Sequence, residues 1–256
     1  MFYFRKLFLY IQKHGLIKMI LKIIYYPFFL LNLAFTRRYV FRSNDIKEKF
    51  SRIYRRNYWG SNESVSGNGS TLEYTENIRK ELPKLFNDFS IKSVFDVPCG
   101  DFNWMQHVIS DFPIKYTGGD IVTDLVQNCN TNYKKENIKF IEFDLTRDKF
   151  PDADLMICRD CLFHLSYKDI NKFLNNFLES NIEFLLTTTF INNSDFKNSD
   201  IITGDFRKID LYSEPFNIPR DKLIYKIIDD GSTDSGREIH LFKRRQLKEA
   251  LKDLII

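Results

Sequence analysis

From residue 93 onward the chain alternates short apolar runs with stretches of helical period. Val94, Phe95 and Val97 form the first run, with Asp96 near its end. Tyr116 to Asp120 forms the second, and Ile138 to Phe143 the third, followed at once by Asp144. Further runs near 153–158, 182–189 and 223–229 continue the series, with helices predicted near 103–110, 122–134 and 167–180. Strand alternating with helix predicts an α/β domain built on a mostly parallel sheet. Ser166-x-x-Asp169 has the form of a capping box and predicts a helix start after the fourth strand. Ile227-Ile228, the turn-rich stretch Asp229 to Gly236, and Glu238 to Phe242 read as strand, loop and strand. The seventh strand would then run antiparallel and close the sheet.

Upstream of this core, Ile46, Phe50, Ile53 and Tyr54 recur at helical spacing and predict an amphipathic helix between Ser43 and Tyr58. Gly60 to Gly69 is dense in Ser, Asn and Gly, a loop leading toward the first strand. Ser70-Thr71-Leu72-Glu73 reads as a second capping box, opening a helix through about Phe86 with Pro83 near its end. The first segment, 1–35, is rich in Phe, Tyr, Leu and Ile, but its longest charge-free run, 23–35, contains Pro27 and Asn32. That run is shorter than the roughly twenty apolar residues a spanning helix needs. No small-x-small cleavage site precedes Thr36-Arg37-Arg38, so a cleavable leader fits poorly. Two readings stand: residues 1–42 lie at a membrane surface as a peripheral contact, or they pack as a helical extension on a partner or on the domain itself. The division expected is 1–58 as a helical extension and 59–256 as the α/β domain.

The chain of 256 residues is long enough to bury a substantial core, and its net charge is +4. The positive excess sits before residue 60, in Arg5, Lys6, Lys13, Lys18, Lys22, Arg37, Arg38, Arg42 and the basic residues of the 46–56 segment. The remainder carries no basic excess, so no nucleic-acid partner is expected. Four cysteines, at 99, 129, 158 and 161, make no disulfide framework in a chain of this length; a cytoplasmic location is expected, at the inner face of the cytoplasmic membrane if 1–42 binds it. Cys158-Arg-Asp-Cys161 lacks the second pair or the histidines that zinc requires, and no metal is expected.

Three successive strands end in carboxylates, Asp96, Asp120 and Asp144, and in an open α/β sheet these tips converge on the ligand-binding edge. Between the first strand and its helix, Pro98-Cys99-Gly100-Asp101 is a tight turn. Asp120 lies where a dinucleotide-type fold places its ribose-binding acid. A dehydrogenase is the nearest rival, yet a carboxylate at Asp101 would repel a pyrophosphate seated on the helix N-terminus.

The series Phe95-Asp96-Val97-Pro98-Cys99-Gly100-Asp101, Gly119-Asp120-Ile121, Phe143-Asp144-Leu145 and Asp154-Leu155-Met156-Ile157-Cys158-Arg159-Asp160 resembles the ordered motifs of class I S-adenosylmethionine-dependent methyltransferases, over roughly residues 70–243. The stretches Trp59 to Thr71 and Arg159-Asp160-Cys161-Leu162-Phe163-His164-Leu165-Ser166 resemble a bacterial branch of these enzymes linked to surface glycans. The chain departs from the family by carrying one glycine in the cofactor turn instead of two or three. The resemblance implies a Rossmann-like sheet and S-adenosylmethionine as cofactor. It implies that Asp120 meets the ribose and Asp144 the adenine amine, that Asp96, Gly100 and Asp101 shape the amino-acid end, and that Ile121 and Leu145 belong to the same cofactor site; the alternatives are a turn cap at Asp144 and a helix N-cap at Asp101. It also implies an acceptor beside Arg159, Asp160 and His164.

His164 is the candidate general base, because an imidazole titrates near neutrality; the alternative is a structural histidine at the next helix start. Asp160 would orient that histidine or bind the acceptor, and Arg159 would bind a phosphate or carboxylate. Trp59, Ser66, Trp104 and Asp205 are acceptor-side candidates. The expected activity is methylation of a hydroxyl on a small polar acceptor, a glycan or sugar nucleotide first. N-methylation of a small amine, or a non-catalytic membrane-associated binding protein on the same fold, are the alternatives. The oligomeric state is not legible.

Overall fold

The computed structural model describes residues 16–110, 112–192, 195–229 and 236–251. Two compact units divide after Asn44. In the first, α1 (Leu16–Phe41) is helical through Pro27 and exposes Tyr26, Leu31, Leu33 and Phe35. No helix among the described residues is long and apolar enough to cross a membrane.

The second unit opens with α2 (Ile46–Arg55), whose N-cap Asp45 accepts from the Glu48 N–H at 2.7 Å. The composition groups this helix with the basic extension, but in the structure it sits on the sheet unit. Lys47 pairs with Glu142, and Asn128 donates to the Tyr54 hydroxyl at 3.0 Å. Next come α3 (Glu76–Asp88), β1 (Ser93–Asp96), α4 (Gln106–Ile109), β2 (Lys115–Asp120), α5 (Thr123–Tyr133) and β3 (Ile138–Glu142). They are followed by β4 (Leu155–Cys158), α6 (Tyr167–Glu179), β5 (Phe184–Phe190), β6 (Leu223–Ile228), β7 (Arg237–Lys243) and α7 (Arg244–Ala250).

Among the described residues the strands form one sheet of order β3-β2-β1-β4-β5-β7-β6. β1 to β5 pair in parallel, and β7 runs antiparallel to both β5 and β6. This is the Rossmann-like sheet the sequence predicts. The chain runs outward from β1 to β3, then returns to place β4 on the other side of β1. That reversal is a topological switch point, where the crevice at the strand ends binds ligands.

Alternate residues along each strand serve the two faces. Val94, Leu155 and Ile157 pack with Ile78, Leu82, Leu85 and Phe86 of α3 on one face; Phe95, Met156 and Cys158 pack with Phe173 and Phe177 of α6 on the other. α6 buries Ile170, Phe173, Leu174, Phe177 and Leu178, the i, i+3, i+4, i+7, i+8 stripe of an amphipathic helix. Its start is as predicted, with Ser166 Oγ accepting from the Asp169 N–H at 3.2 Å.

The capping box at Ser70 is not used. α3 begins at Glu76, Pro83 lies inside it, and Asn68–Ser70 forms a 3-10 turn instead. Glu63 takes the Leu72 N–H at 2.7 Å, so a side chain from the preceding loop supplies the acceptor that a cap at Ser70 would have supplied.

Candidate active site

A cleft of about 320 Å³ opens at the carboxyl ends of β1, β2, β3 and β4. Its floor is the end of β1. Asp96 is buried and accepts from the Tyr116 hydroxyl at 2.7 Å. Burial pushes its carboxyl up to about 7, against the opposing effects of that hydrogen bond and the Arg159 charge. Asp120, at the end of β2, is also buried and pushed up to about 6 by desolvation, its backbone hydrogen bonds acting the other way. Its Oδ2 accepts from Gly100 N–H at 3.2 Å and its Oδ1 from Val122 N–H at 3.0 Å. The Ile121 N–H bonds the same carboxylate, so three backbone donors meet it.

Asp144, past β3, holds an Asx turn: its Oδ1 accepts from the Thr146 N–H at 2.9 Å and the Thr146 hydroxyl at 2.7 Å. Asp144, Leu145 and Ile121 line the same cleft, so the structure brings together the carboxylate tips named from the sequence.

The turn after β1 is closed from above by the 60–70 loop. Gly100 has φ +58°, and a Cβ there would meet Ser66 Oγ at 2.2 Å, which explains the single glycine in this turn. Asp101 does not line the cleft. Its carboxylate accepts from Ser64 Oγ at 3.0 Å and Val65 N–H at 2.9 Å, while its own N–H donates to Ser66 Oγ at 3.2 Å. The expected cofactor contact is therefore corrected to a clasp: a short carboxylate facing a serine-rich loop is taken up by hydroxyls and backbone N–H groups.

The other side of the cleft is built on the residues after β4. Arg159 is 5% exposed and binds Asp229 in a bidentate pair at 2.9 and 3.1 Å; it also donates to the Gly69 carbonyl at 2.7 Å and lies 5.3 Å over the Trp104 ring. Burial works against its charge, but Asp160 and Asp229 outweigh it and raise its pKa. Asp160 Oδ2 pairs with Arg237 at 2.9 Å and Arg159 at 3.3 Å, and Arg237 reaches Asp229 at 3.0 Å. Two arginines and two aspartates thus form one buried cluster. The Asp160 carboxylate takes the two arginines on Oδ2 and the Thr188 hydroxyl at 3.3 Å on Oδ1, with no hydrogen bond to His164, so its role as orienter of the histidine is corrected. Arg159, already bonded to Asp229 and Gly69, is not a free anion receptor.

His164 lines the cleft with its Nδ1 against the Asp205 carbonyl at 2.8 Å, an acceptor that assigns the ring proton to Nδ1 and leaves Nε2 with its lone pair. Trp59 stacks on the imidazole at 5.1 Å and 28°, and Phe206 lies 5.9 Å away. Burial lowers the His164 pKa, with the Asp205 hydrogen bond and the Asp160 charge opposing. Trp59, Ser66 and Trp104 all line the cleft; Asp205 contributes its carbonyl.

Sequence reasoning did not single out Asp229, Arg237 or Tyr116. The signal was present for the first two, since a charged residue bounds an apolar strand end at Ile227-Ile228-Asp229 and an apolar strand start at Arg237. Among the described residues no cluster of His, Cys, Asp or Glu could hold a metal ion.

Residues 94–180 match the model of a methyltransferase domain. None of the curated proteins matches the chain. Among solved structures, human N-acetylserotonin methyltransferase in complex with S-adenosylmethionine superposes with a TM-score of 0.53 at 16% identity, over 82% of this chain and 65% of that one. The methyltransferase domain of bacterial CtHen1 superposes at 0.50 with 16% identity, over 66% of this chain and 99% of that one. The pyocyanin biosynthetic protein PhzM gives 0.51 at 13% identity, over 66% and 55%. Identities this low establish the fold, while the domain match falls on the segment holding Asp96, Asp120, Asp144 and His164. Residues 94–180 thus match a methyltransferase domain, set on the fold that these solved methyltransferases share.

Proposed function

We propose that the chain transfers a methyl group from S-adenosylmethionine to a hydroxyl of a small polar acceptor, with a glycan or sugar nucleotide as the leading class. The observation that carries this reading is the His164 imidazole, held with Nδ1 on the Asp205 carbonyl in the lining of the cleft that the strand-end carboxylates share. Asp120 offers two carboxylate oxygens to the ribose, Asp144 offers Oδ2 to the adenine amine, and Asp96 faces the charged amino-acid end. The cofactor supplies an electrophilic methyl group by in-line displacement. The protein has only to align the hydroxyl and take its proton, which a neutral imidazole can accept. The aromatic faces of Trp59 and Phe206 flank that position and suit the apolar face of a sugar ring.

Residues 1–44 contain eight Lys and Arg and no Asp or Glu, a charge pattern that supports peripheral contact of 1–42 with an anionic membrane surface at the cytoplasmic face. The test of the activity is a screen of labelled S-adenosylmethionine against sugar nucleotides, glycan intermediates and amines, followed by His164→Asn on the acceptor found. Turnover should fall roughly 10² to 10⁴-fold with cofactor affinity kept. Near-normal turnover in His164→Asn would exclude the imidazole as base and favour an amine acceptor.

A further inference from the structure

The segment Thr203-Gly204-Asp205-Phe206-Arg207 is laced to the turn that carries His164. Gly204 N–H donates to the His164 carbonyl at 2.7 Å, and the Asp205 carbonyl takes the imidazole Nδ1 at 2.8 Å. Thr203 Oγ1 accepts from Ser166 N–H at 2.9 Å and donates to Asp169 at 2.6 Å, tying the same segment to the start of α6. Arg207 closes the strap: its N–H donates to the Phe163 carbonyl at 3.1 Å and its Nη1 to the Leu162 carbonyl at 3.1 Å.

Arg207 is 6% exposed, and its guanidinium lies 5.4 Å over the Tyr167 ring. Its Nε and Nη2 have no hydrogen-bond partner among the described residues. There it also forms no ion pair, whereas Arg159 and Arg237 are both paired with Asp160 and Asp229. Burial works against its charge, and the Tyr167 hydroxyl and the Asp200 carboxylate act the other way. A buried cation that no bonded carboxylate cancels projects its field onto neighbouring groups, and the turn it grips is the His164 turn.

We propose that Arg207 is a positioning residue for His164, its side chain holding the imidazole turn through the Leu162 carbonyl and opposing a second positive charge on the ring. The proposal rests on the reading of His164 as the base. The charged groups acting on the imidazole are Asp160 after β4, Asp205 on the strap and Arg207 beside it; Trp59, Phe163 and Phe206 pack on it as neutral rings. Both acids favour the imidazolium. Arg207 and burial oppose them, and the net direction is toward a neutral ring able to accept a proton.

The test is a pH titration of the full chain labelled with ¹³C-histidine, followed by NMR, with the His164 signal assigned by its loss in His164→Asn. Because the chain has four histidines, the spectrum resolves one signal per ring. In Arg207→Met and Arg207→Gln the His164 midpoint should move up by about half to one pH unit, and in Arg207→Lys, which keeps the charge, it should stay near that of the native chain. Once an acceptor is known, the acid limb of kcat should move the same way while the KM for S-adenosylmethionine holds.

A midpoint unmoved in the Met or Gln variant, folded by circular dichroism, would overturn the proposal. So would Arg207→Lys shifting as far as Arg207→Gln, since the charge placed beside the ring would then not be what sets the midpoint. The NMR arm needs no turnover, so failure of the general-base reading, seen as an active His164→Asn, is distinguished from failure of this one.

Discussion

Asp229→Ala probes the buried cluster behind the cleft. The Asp229 side chain is 1% exposed and accepts from Arg159 at 2.9 and 3.1 Å; it also faces Arg237 at 3.0 Å, and the two arginine side chains are only 4% and 8% exposed. Removing the carboxylate leaves two buried guanidiniums to share Asp160 alone. Deleting one partner of a buried pair costs about 3 to 5 kcal/mol, because the remaining charge stays desolvated. For a chain of this size a loss of 1 kcal/mol lowers Tm by roughly 2 to 4 °C, which places the expected drop at about 6 to 20 °C. Differential scanning calorimetry with urea unfolding measures it, and Asp229→Asn, which keeps one acceptor oxygen and the volume, should lose less. The loss should persist in high salt, since screening acts weakly on buried pairs. Arg159 also holds the Gly69 carbonyl at 2.7 Å, so the 60–70 loop should loosen and cofactor affinity fall in step. A loss below about 1 kcal/mol would refute the reasoning, because it would mean that water or another residue meets the two cations.

Asp120→Ala should weaken S-adenosylmethionine binding by about 1.5 to 3 kcal/mol, the worth of a charge-assisted hydrogen bond, as read by calorimetry. Native binding should also weaken as pH falls below about 6, where Asp120 takes a proton and loses acceptor capacity; this acid-side loss should be blunted in the variant. Deletion of residues 1–42 should leave the sheet unit folded and abolish sedimentation with anionic vesicles. Unchanged sedimentation would show that the segment packs on protein, a partner or the domain itself.

The succession of apolar runs with acids at 96, 120 and 144 was enough to predict the sheet and its ligand edge, because strand period and strand-end position are local properties of the chain. Ser166 could likewise be read as a cap from its own four residues, and the structure uses it so. The same pattern at Ser70 failed, since Glu63, nine residues upstream of Leu72, competes for the N–H that a cap would take.

Partner choice across long separations was what only the tertiary structure decided. Asp101 looked free for a ligand but is occupied by a loop more than thirty residues away in sequence, and Asp160 looked like the partner of His164 but answers to Arg237 on β7. The histidine's own partner is a backbone carbonyl, at Asp205, which any residue type would supply and no composition can reveal. A buried charge is satisfied by whichever opposite group the fold brings within about 3 Å, and that depends on strand order and loop packing, neither of which is written in the local sequence.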